Sequence, residues 1–317
     1  MKVIKSYLNG IKGTLSSIKM IFTLYVLTLI FALVFTLSFR SILSSAAGSS
    51  MLIYPLLKEF DFTKFTEFLT QHKDLSNFVT KQFLWYGIFY LIFTIFVTGG
   101  ILTIIHKQKN NFSIAEFFKG CGEYFFRFFK LSLIVSILHV LIAAIIYFGV
   151  VVTIDKYTDI VESESTLVYI AGIGIFLHLI IAGILFIITD YTKILLVRND
   201  SRKVFRSFWN TIKFVFKHFQ GVSILYLLLF ITPLLMTIFY LLIESKIGMI
   251  SPITILIMFI IQQIYVLSRL FIKIWFLVSQ YSYHDYFFIP DIKENEPVLI
   301  AERNNFKLGD LNNPETF

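Results

Sequence analysis

The stretch Leu131-Ser-Leu-Ile-Val-Ser-Ile-Leu-His-Val-Leu-Ile-Ala-Ala-Ile-Ile-Tyr-Phe-Gly-Val-Val-Val152 holds 22 residues without one Asp, Glu, Lys or Arg. A bilayer core about 30 Å thick takes about 20 apolar helical residues. No soluble core needs a run of this length, so the stretch reads as a transmembrane helix. Five further segments meet or approach the same criterion: Met20–Phe39, Leu84–Ile105, Leu167–Thr189, Val222–Ile243 and Ile253–Phe276. The last is the weakest. It carries Gln262 and Gln263 near its middle and Arg269 and Lys273 near its end, and its apolar core is expected to stop near Leu267.

Composition agrees. The 317 residues are 57% hydrophobic, 18% aromatic and 15% charged, against roughly 25% charged in soluble domains. The fold class is therefore all-α, a polytopic membrane bundle of about six spans. Residues 1–280 form one membrane domain, and 281–317 form a mostly irregular cytoplasmic tail with Pro290, Pro297 and Pro314. Met20–Phe39 is too long for a signal-peptide core, typically about 7–15 residues, so Ser45-Ala46-Ala47 is read as uncleaved.

Net charge is +8, but the basic residues lie between apolar runs. That pattern points to topology and anionic lipid headgroups rather than nucleic acid. One side of the six spans carries 21 of the 28 Lys and Arg residues, and the positive-inside rule makes it cytoplasmic. Both termini then lie in the cytoplasm, and the Phe-, Ile-, Lys- and Asn-rich usage fits an AT-rich bacterial genome, so a bacterial cytoplasmic (inner) membrane is the expected location. On the other side, Asp61 is placed to cap an external helix bearing Phe62, Phe65, Leu69, Leu75, Phe78 and Phe83.

Three stretches before spans share one register. Polar residues recur at Lys2, Lys5, Asn9, Lys12, Ser16 and Lys19. They recur at Ser113, Glu116, Gly120, Glu123, Arg127 and Lys130, and again at Lys203, Arg206, Asn210, Lys213, Lys217 and Gln220. A spacing of 3, 4, 3, 4, 3 is one helical face. The opposite faces carry Val3, Tyr7 and Ile18, then Ile114, Phe118 and Phe129, then Val204, Phe208 and Phe219. Helices of this kind lie in the membrane interface. The chain reads as three repeats of an amphipathic elbow helix followed by a helical hairpin. Ser113 and Glu116 fit a capping box at the second elbow.

Polar groups at membrane depth are the candidate functional residues. His139 and His178, both near mid-span, are able to form a proton relay or a metal pair, or simply to hydrogen-bond neighbouring helices. Asp190 is placed to pair with Arg269 or Lys273. Gln262 lines a polar cavity or bonds another helix. Gly99, Gly100, Gly172, Gly174 and Gly183 permit close helix approach, and Pro233 predicts a kink or an unwound turn. Cys121 is the one cysteine. Glycine-rich phosphate loops, nucleophile elbows, a H-E-x-x-H motif and paired catalytic carboxylates are all missing from the sequence. No cofactor and no enzymatic activity are therefore expected.

The segment Gly99-Gly-Ile-Leu-Thr103, with Phe112-Ser-Ile-Ala-Glu-Phe-Phe118, Tyr124-Phe-Phe-Arg-Phe-Phe-Lys130 and Asp190-Tyr-Thr-Lys-Ile-Leu-Leu-Val197, resembles a poorly characterised group of bacterial six-span membrane proteins. That group is similar to the membrane domain attached to some glycerophosphodiester phosphodiesterases. The likeness covers about residues 1–280. The phosphodiesterase catalytic domain has no counterpart here, so the resemblance carries over no enzymatic residue. Three functional classes remain in view: first a non-enzymatic organiser of the envelope or of a partner complex, second a transporter or channel for a small solute or lipid, and third an intramembrane enzyme with His139 and His178 as its only plausible groups.

Overall fold

A computed structural model describes residues 2–47, 62, 63, 66, 70, 73–107, 112–158, 164–247 and 251–287. Among these, eight α-helices have defined bounds and no β-strand occurs. They are α1 (Lys2–Leu15), α2 (Ile18–Ala47), α3 (Lys73–Lys107), α4 (Ile114–Thr158), α5 (Glu164–Arg198), α6 (Val204–Lys217), α7 (Phe219–Glu244) and α8 (Pro252–Asp285). Six of them, α2, α3, α4, α5, α7 and α8, are long and apolar enough to cross a membrane. The protein is a multi-pass helical membrane bundle.

Solvent exposure shows which solvent the helices meet. On α4, Ile137, Val140, Leu141, Ile145 and Phe148 are 58–72% exposed. Such rows recur on every long helix, for example Leu33, Val34 and Leu37 on α2 and Leu234, Leu235 and Phe239 on α7. Water would not tolerate this much contiguous apolar surface, whereas acyl chains solvate it.

Burial is concentrated at one end of the bundle, the end where α1 and α6 lie. Ile101 and Leu102 of α3, Phe117, Phe128 and Leu131 of α4, Ile194 and Leu196 of α5, Leu225 of α7 and Ile274 of α8 are all fully buried there. We call this the elbow end, and the opposite end, where the helices expose most of their surface, the far end. α4 has 45 residues, about 68 Å at 1.5 Å per residue, and overruns a bilayer core about 30 Å thick more than twofold. The packed elbow end is partly built from these overhangs.

The amphipathic stretches pack in a cyclic pattern. α4 begins against α3, α6 packs on α5, and α1 packs on α8. Each stretch thus lies on the long helix that precedes it, and α1 closes the ring onto the last helix of the chain. Lys107 of α3 pairs with Glu116 of α4 at 3.3 Å. Two close approaches need glycine. A Cβ on Gly100 would stand 2.7 Å from the Phe117 carbonyl oxygen of α4, and one on Gly10 would collide with Ser279 and Trp275 of α8. Gly99 and Gly174 are similarly crowded, while Gly172 and Gly183 face open space, contrary to expectation.

The three stretches are not alike. α1 and α6 are separate 14-residue helices, and all six polar register positions of each of these two stretches, within the helix or just beside it, are exposed. α1 ends because the Ser16 and Ser17 hydroxyls both donate to the Gly13 carbonyl at 2.8 and 2.9 Å, competing with the helix ladder. The second stretch has no such break and runs unbroken into its span as α4. Its register positions turn inward at Gly120, which is buried against Thr103, and at Arg127. The Ser113 half of the capping box is present, with the Glu116 N–H donating to the Ser113 hydroxyl at 3.4 Å.

The expected lipid-facing residues shift in part: Ile18, Ile114, Phe118 and Phe219 are exposed as expected, but others turn inward. Tyr7 packs on Trp275 with ring centres 4.8 Å apart, and Val204 and Phe208 are buried. The exposed apolar rows are instead Ile4, Leu8 and Leu15 on α1, and Phe205, Trp209 and Phe216 on α6. The two rows have the same spacing.

Other expectations change as well. α8 does not lose its buried character near Leu267 but continues to Asp285, with Ile272, Trp275, Leu277, Gln280 and His284 buried, so 281–285 belongs to the bundle. Residues 288–317 lie outside the described residues. So do Asp61 and most of the stretch to His72, while Leu75, Phe78 and Phe83 belong to α3 rather than to a separate external helix. α7 continues through Pro233 as one helix, without an unwound turn.

Candidate functional site

Among the described residues, three of the polar groupings between helices bear on the candidate residues or lie next to a cleft. The first centres on Asp190 of α5, which is 6% exposed. Its Oδ2 accepts from the Tyr226 hydroxyl of α7 at 3.2 Å and from Gln280 Nε2 of α8 at 3.3 Å. Gln280 Nε2 also donates to the Tyr226 oxygen at 2.8 Å. Lys193, one turn along, meets Asp190 Oδ1 at 3.3 Å. The expected partners, Arg269 and Lys273, are elsewhere. Arg269 is exposed, with its guanidinium 5.9 Å from the Tyr265 ring centre, and among the described residues Lys273 makes no ion pair with Asp190. The reason is geometric: the helix α8 continues past Lys273, and it is Gln280 that reaches α5. The carboxylate ties α5, α7 and α8 together, and a buried charge so bonded is held in place.

The second grouping sits closer to the elbow-end surface. The Arg198 side chain is 3% exposed; it bonds Asp285 and lies 4.3 Å from the Tyr281 ring centre. Its Nη1 is 2.9 Å from His284 Nδ1. A guanidinium has no acceptor, so Arg198 donates and His284 Nδ1 carries no proton. The Tyr281 hydroxyl is 2.8 Å from His106 Nδ1 of α3. Arg198 therefore bridges α5 to α8, and Tyr281 extends the chain of contacts to α3. Nearby, a cleft of about 560 Å³ opens between α1, α3 and α8, lined by Asn9, Ser16, Ile105, Tyr281, Ser282 and Asp285, among others.

The third is the histidine pair. The structure brings His139 of α4 and His178 of α5 together edge to face, with ring centres 4.8 Å apart, and places Tyr147 5.4 Å from His178. His178 Nδ1 is buried without a hydrogen-bond partner. Two imidazoles are fewer ligands than a zinc site uses. Among the described residues no group of three or more His, Cys, Asp and Glu side chains comes together. The pair is suited to proton exchange, or to packing α4 against α5. The two glutamines separate: Gln263 accepts from the Tyr25 hydroxyl of α2 at 2.7 Å, and Gln262 is half-buried outside both the Asp190 and histidine groupings.

At the surface, Asp200 in the turn between α5 and α6 accepts from Arg127 Nη1 at 2.6 Å and from the Tyr124 hydroxyl at 3.3 Å. It has φ 43°, in the left-handed region that Asp tolerates better than most residues. The Arg127 hydrogen bond holds its carboxyl below the usual carboxylate range, against a smaller opposing effect of burial.

Tyr226, Gln280, Arg198, His284, Tyr281 and His106 were not marked by the sequence reading. A signal exists for two of them, Gln280 and His284, which stand at helical spacing beyond the end of the apolar run. A scan against family models finds none that matches the chain, and searches of curated proteins and of solved structures find no significant match.

Proposed function

We propose that this chain is a non-enzymatic integral protein of the bacterial cytoplasmic membrane, organising the envelope or a partner complex around a rigid platform at its cytoplasmic side. The elbow end is that platform, with both helical termini there, as the distribution of Lys and Arg supports. The observation that carries the reading is the cyclic packing of the three amphipathic stretches, closed by α1 on α8. It holds one end of the bundle as a single packed body, while the long helices beyond it expose most of their surface.

On this reading α1 and α6 rest on the inner leaflet. Ile4, Leu8 and Leu15, and Phe205, Trp209 and Phe216, enter the acyl boundary, and Lys5, Lys12, Arg206 and Lys213 reach anionic headgroups. The matched spacing of these rows supports descent of the three units from one repeat, with the second altered where it became continuous with its span. The resemblance to the membrane domain of some glycerophosphodiester phosphodiesterases belongs to the same proposal.

The test is site-specific photo-crosslinking in cells from Asn210 and Lys213 of α6 and from Lys12 of α1. Discrete adducts with a particular partner are expected. Hydrolytic or transferase activity of the purified chain would overturn the non-enzymatic reading. A second reading, transport of a small solute or lipid, is favoured by the juxtaposition of His139 and His178 at membrane depth. Solute or lipid flux in proteoliposomes that is lost in a H139F/H178F variant would establish it in place of the first.

A further inference from the structure

At the far end, α2 and α3 diverge enough to leave a lateral cleft of about 540 Å³. Its walls are Leu27, Ile30, Phe31, Val34 and Phe35 on α2, and Trp85, Tyr86, Phe89 and Phe93 on α3. Aromatic rings form its floor: Phe31 stacks on Phe93 with centres 5.2 Å apart, and Phe35 meets Tyr86 at 4.2 Å. Ile30, Val34, Trp85 and Phe89 are more than half exposed, so the cleft opens sideways into the bilayer.

Three features define what fits. The first is depth. From Gln82 to Phe93 the cleft follows α3 over 12 residues, a rise of about 16 Å at 1.5 Å per step, which is about half of a 30 Å hydrocarbon core. The cleft therefore spans one leaflet, from the interface to the midplane. The second is the lining, which is apolar along its length, with a volume in the range of small-molecule sites. The third is its polar mouth. Ser38 and Gln82 stand at the interfacial end, and the Gln82 side-chain oxygen Oε1 is buried without a hydrogen-bond partner. A buried amide oxygen without a donor is costly, and a donor brought by a ligand would satisfy it.

We propose that this cleft is a specific site for one acyl chain of a far-leaflet phospholipid whose headgroup carries an O–H or N–H that donates to Gln82 Oε1. A glycerol hydroxyl and a primary ammonium both qualify, whereas a trimethylammonium headgroup has no donor. The site is independent of the scaffold reading above, since it lies at the opposite end of the bundle.

The experiment reconstitutes the full chain in vesicles doped with phosphatidylglycerol, phosphatidylethanolamine or phosphatidylcholine bearing a photoreactive group near the end of one acyl chain. Adducts are mapped by mass spectrometry. The expected result is labelling centred on Phe31, Phe89 and Phe93, in excess over the more exposed Ile145 and Phe148. A donor-bearing lipid should outcompete phosphatidylcholine about 2- to 10-fold, the range expected of one hydrogen bond. The arms with glycerol and ethanolamine headgroups show which donor is used. Gln82→Leu should bring the ratio to about one while acyl labelling persists. Val34→Trp, which fills the cleft, should abolish labelling there. Labelling that follows exposure alone, or that ignores the headgroup in the unmodified chain, overturns the proposal. Should Val34→Trp fail to fold, the Gln82→Leu ratio still decides.

Discussion

The indole N–H of Trp275 donates to the backbone carbonyl of Tyr7 at 2.9 Å, joining residues 268 apart in sequence. Beside it, the Tyr7 hydroxyl is 2.8 Å from Thr232 Oγ1 of α7. These contacts close the ring of helices, because α1 has no neighbour in sequence to hold it against α8. Trp275→Ala should therefore lower stability by about 3–5 kcal/mol, the usual cost of deleting a buried indole. Gly10→Leu should release α1 by colliding with Ser279 and Trp275, with the sequence of α8 unchanged. Thermal melting in detergent measures the first. Faster amide exchange confined to residues 2–15 reports the second.

Asp190 offers a clean separation of shape from hydrogen bonding. Asp190→Asn keeps an acceptor for Tyr226 and Gln280 and should change stability little. Asp190→Leu leaves the Tyr226 hydroxyl buried without an acceptor, while Gln280 keeps only its bond to the Tyr226 oxygen, at a cost of about 1–3 kcal/mol. Equal melting temperatures for the two variants would show that the network does not hold α5, α7 and α8 together.

Asp200 gives the turn between α5 and α6 a pH dependence of known sign. Its folded-state pKa lies below the unfolded value, chiefly through Arg127. The stability it contributes is present above the ordinary carboxylate pKa and is lost as pH falls through the depressed one. Amide exchange in residues 198–204 should accelerate below about pH 4. Asp200→Asn should remove that acceleration. An unchanged acid response in the variant would place the effect elsewhere.

His178 carries a buried nitrogen with no partner. Replacing a buried, unpaired polar group by an apolar ring of similar shape is close to neutral or stabilising. His178→Phe should melt at or above the parent temperature. A loss of more than about 2 kcal/mol would mean that the imidazole is bonded in the membrane.

The spans were legible because a bilayer demands long uncharged helices, and six helices of that kind stand where the uncharged runs lie. The histidine pair was legible for the same reason, since two polar rings in apolar surroundings are conspicuous. The Asp190 partners were not legible, because Gln280 lies 90 residues away, in what sequence alone marks as the start of a polar tail. Nor was the unbroken α4. Its junction near Lys130 and the junction of α1 with α2 both read as a polar helix meeting an apolar one. Whether the helix stops there depends on side chains such as Ser16 and Ser17 bonding back to the backbone. The faces of α1 and α6 were misassigned because an apolar side chain reads the same whether it meets lipid or, like Tyr7, another helix.

The central claim is that acyl chains solvate the far halves of the long helices. Nitroxide labels at Ile145, Phe176 and Phe239, each on a Cys121→Ala background in reconstituted vesicles, test it most directly. The account predicts that all three collide more often with dissolved oxygen than with a water-soluble nickel chelate. Preferential collision with the nickel chelate at these positions would contradict it.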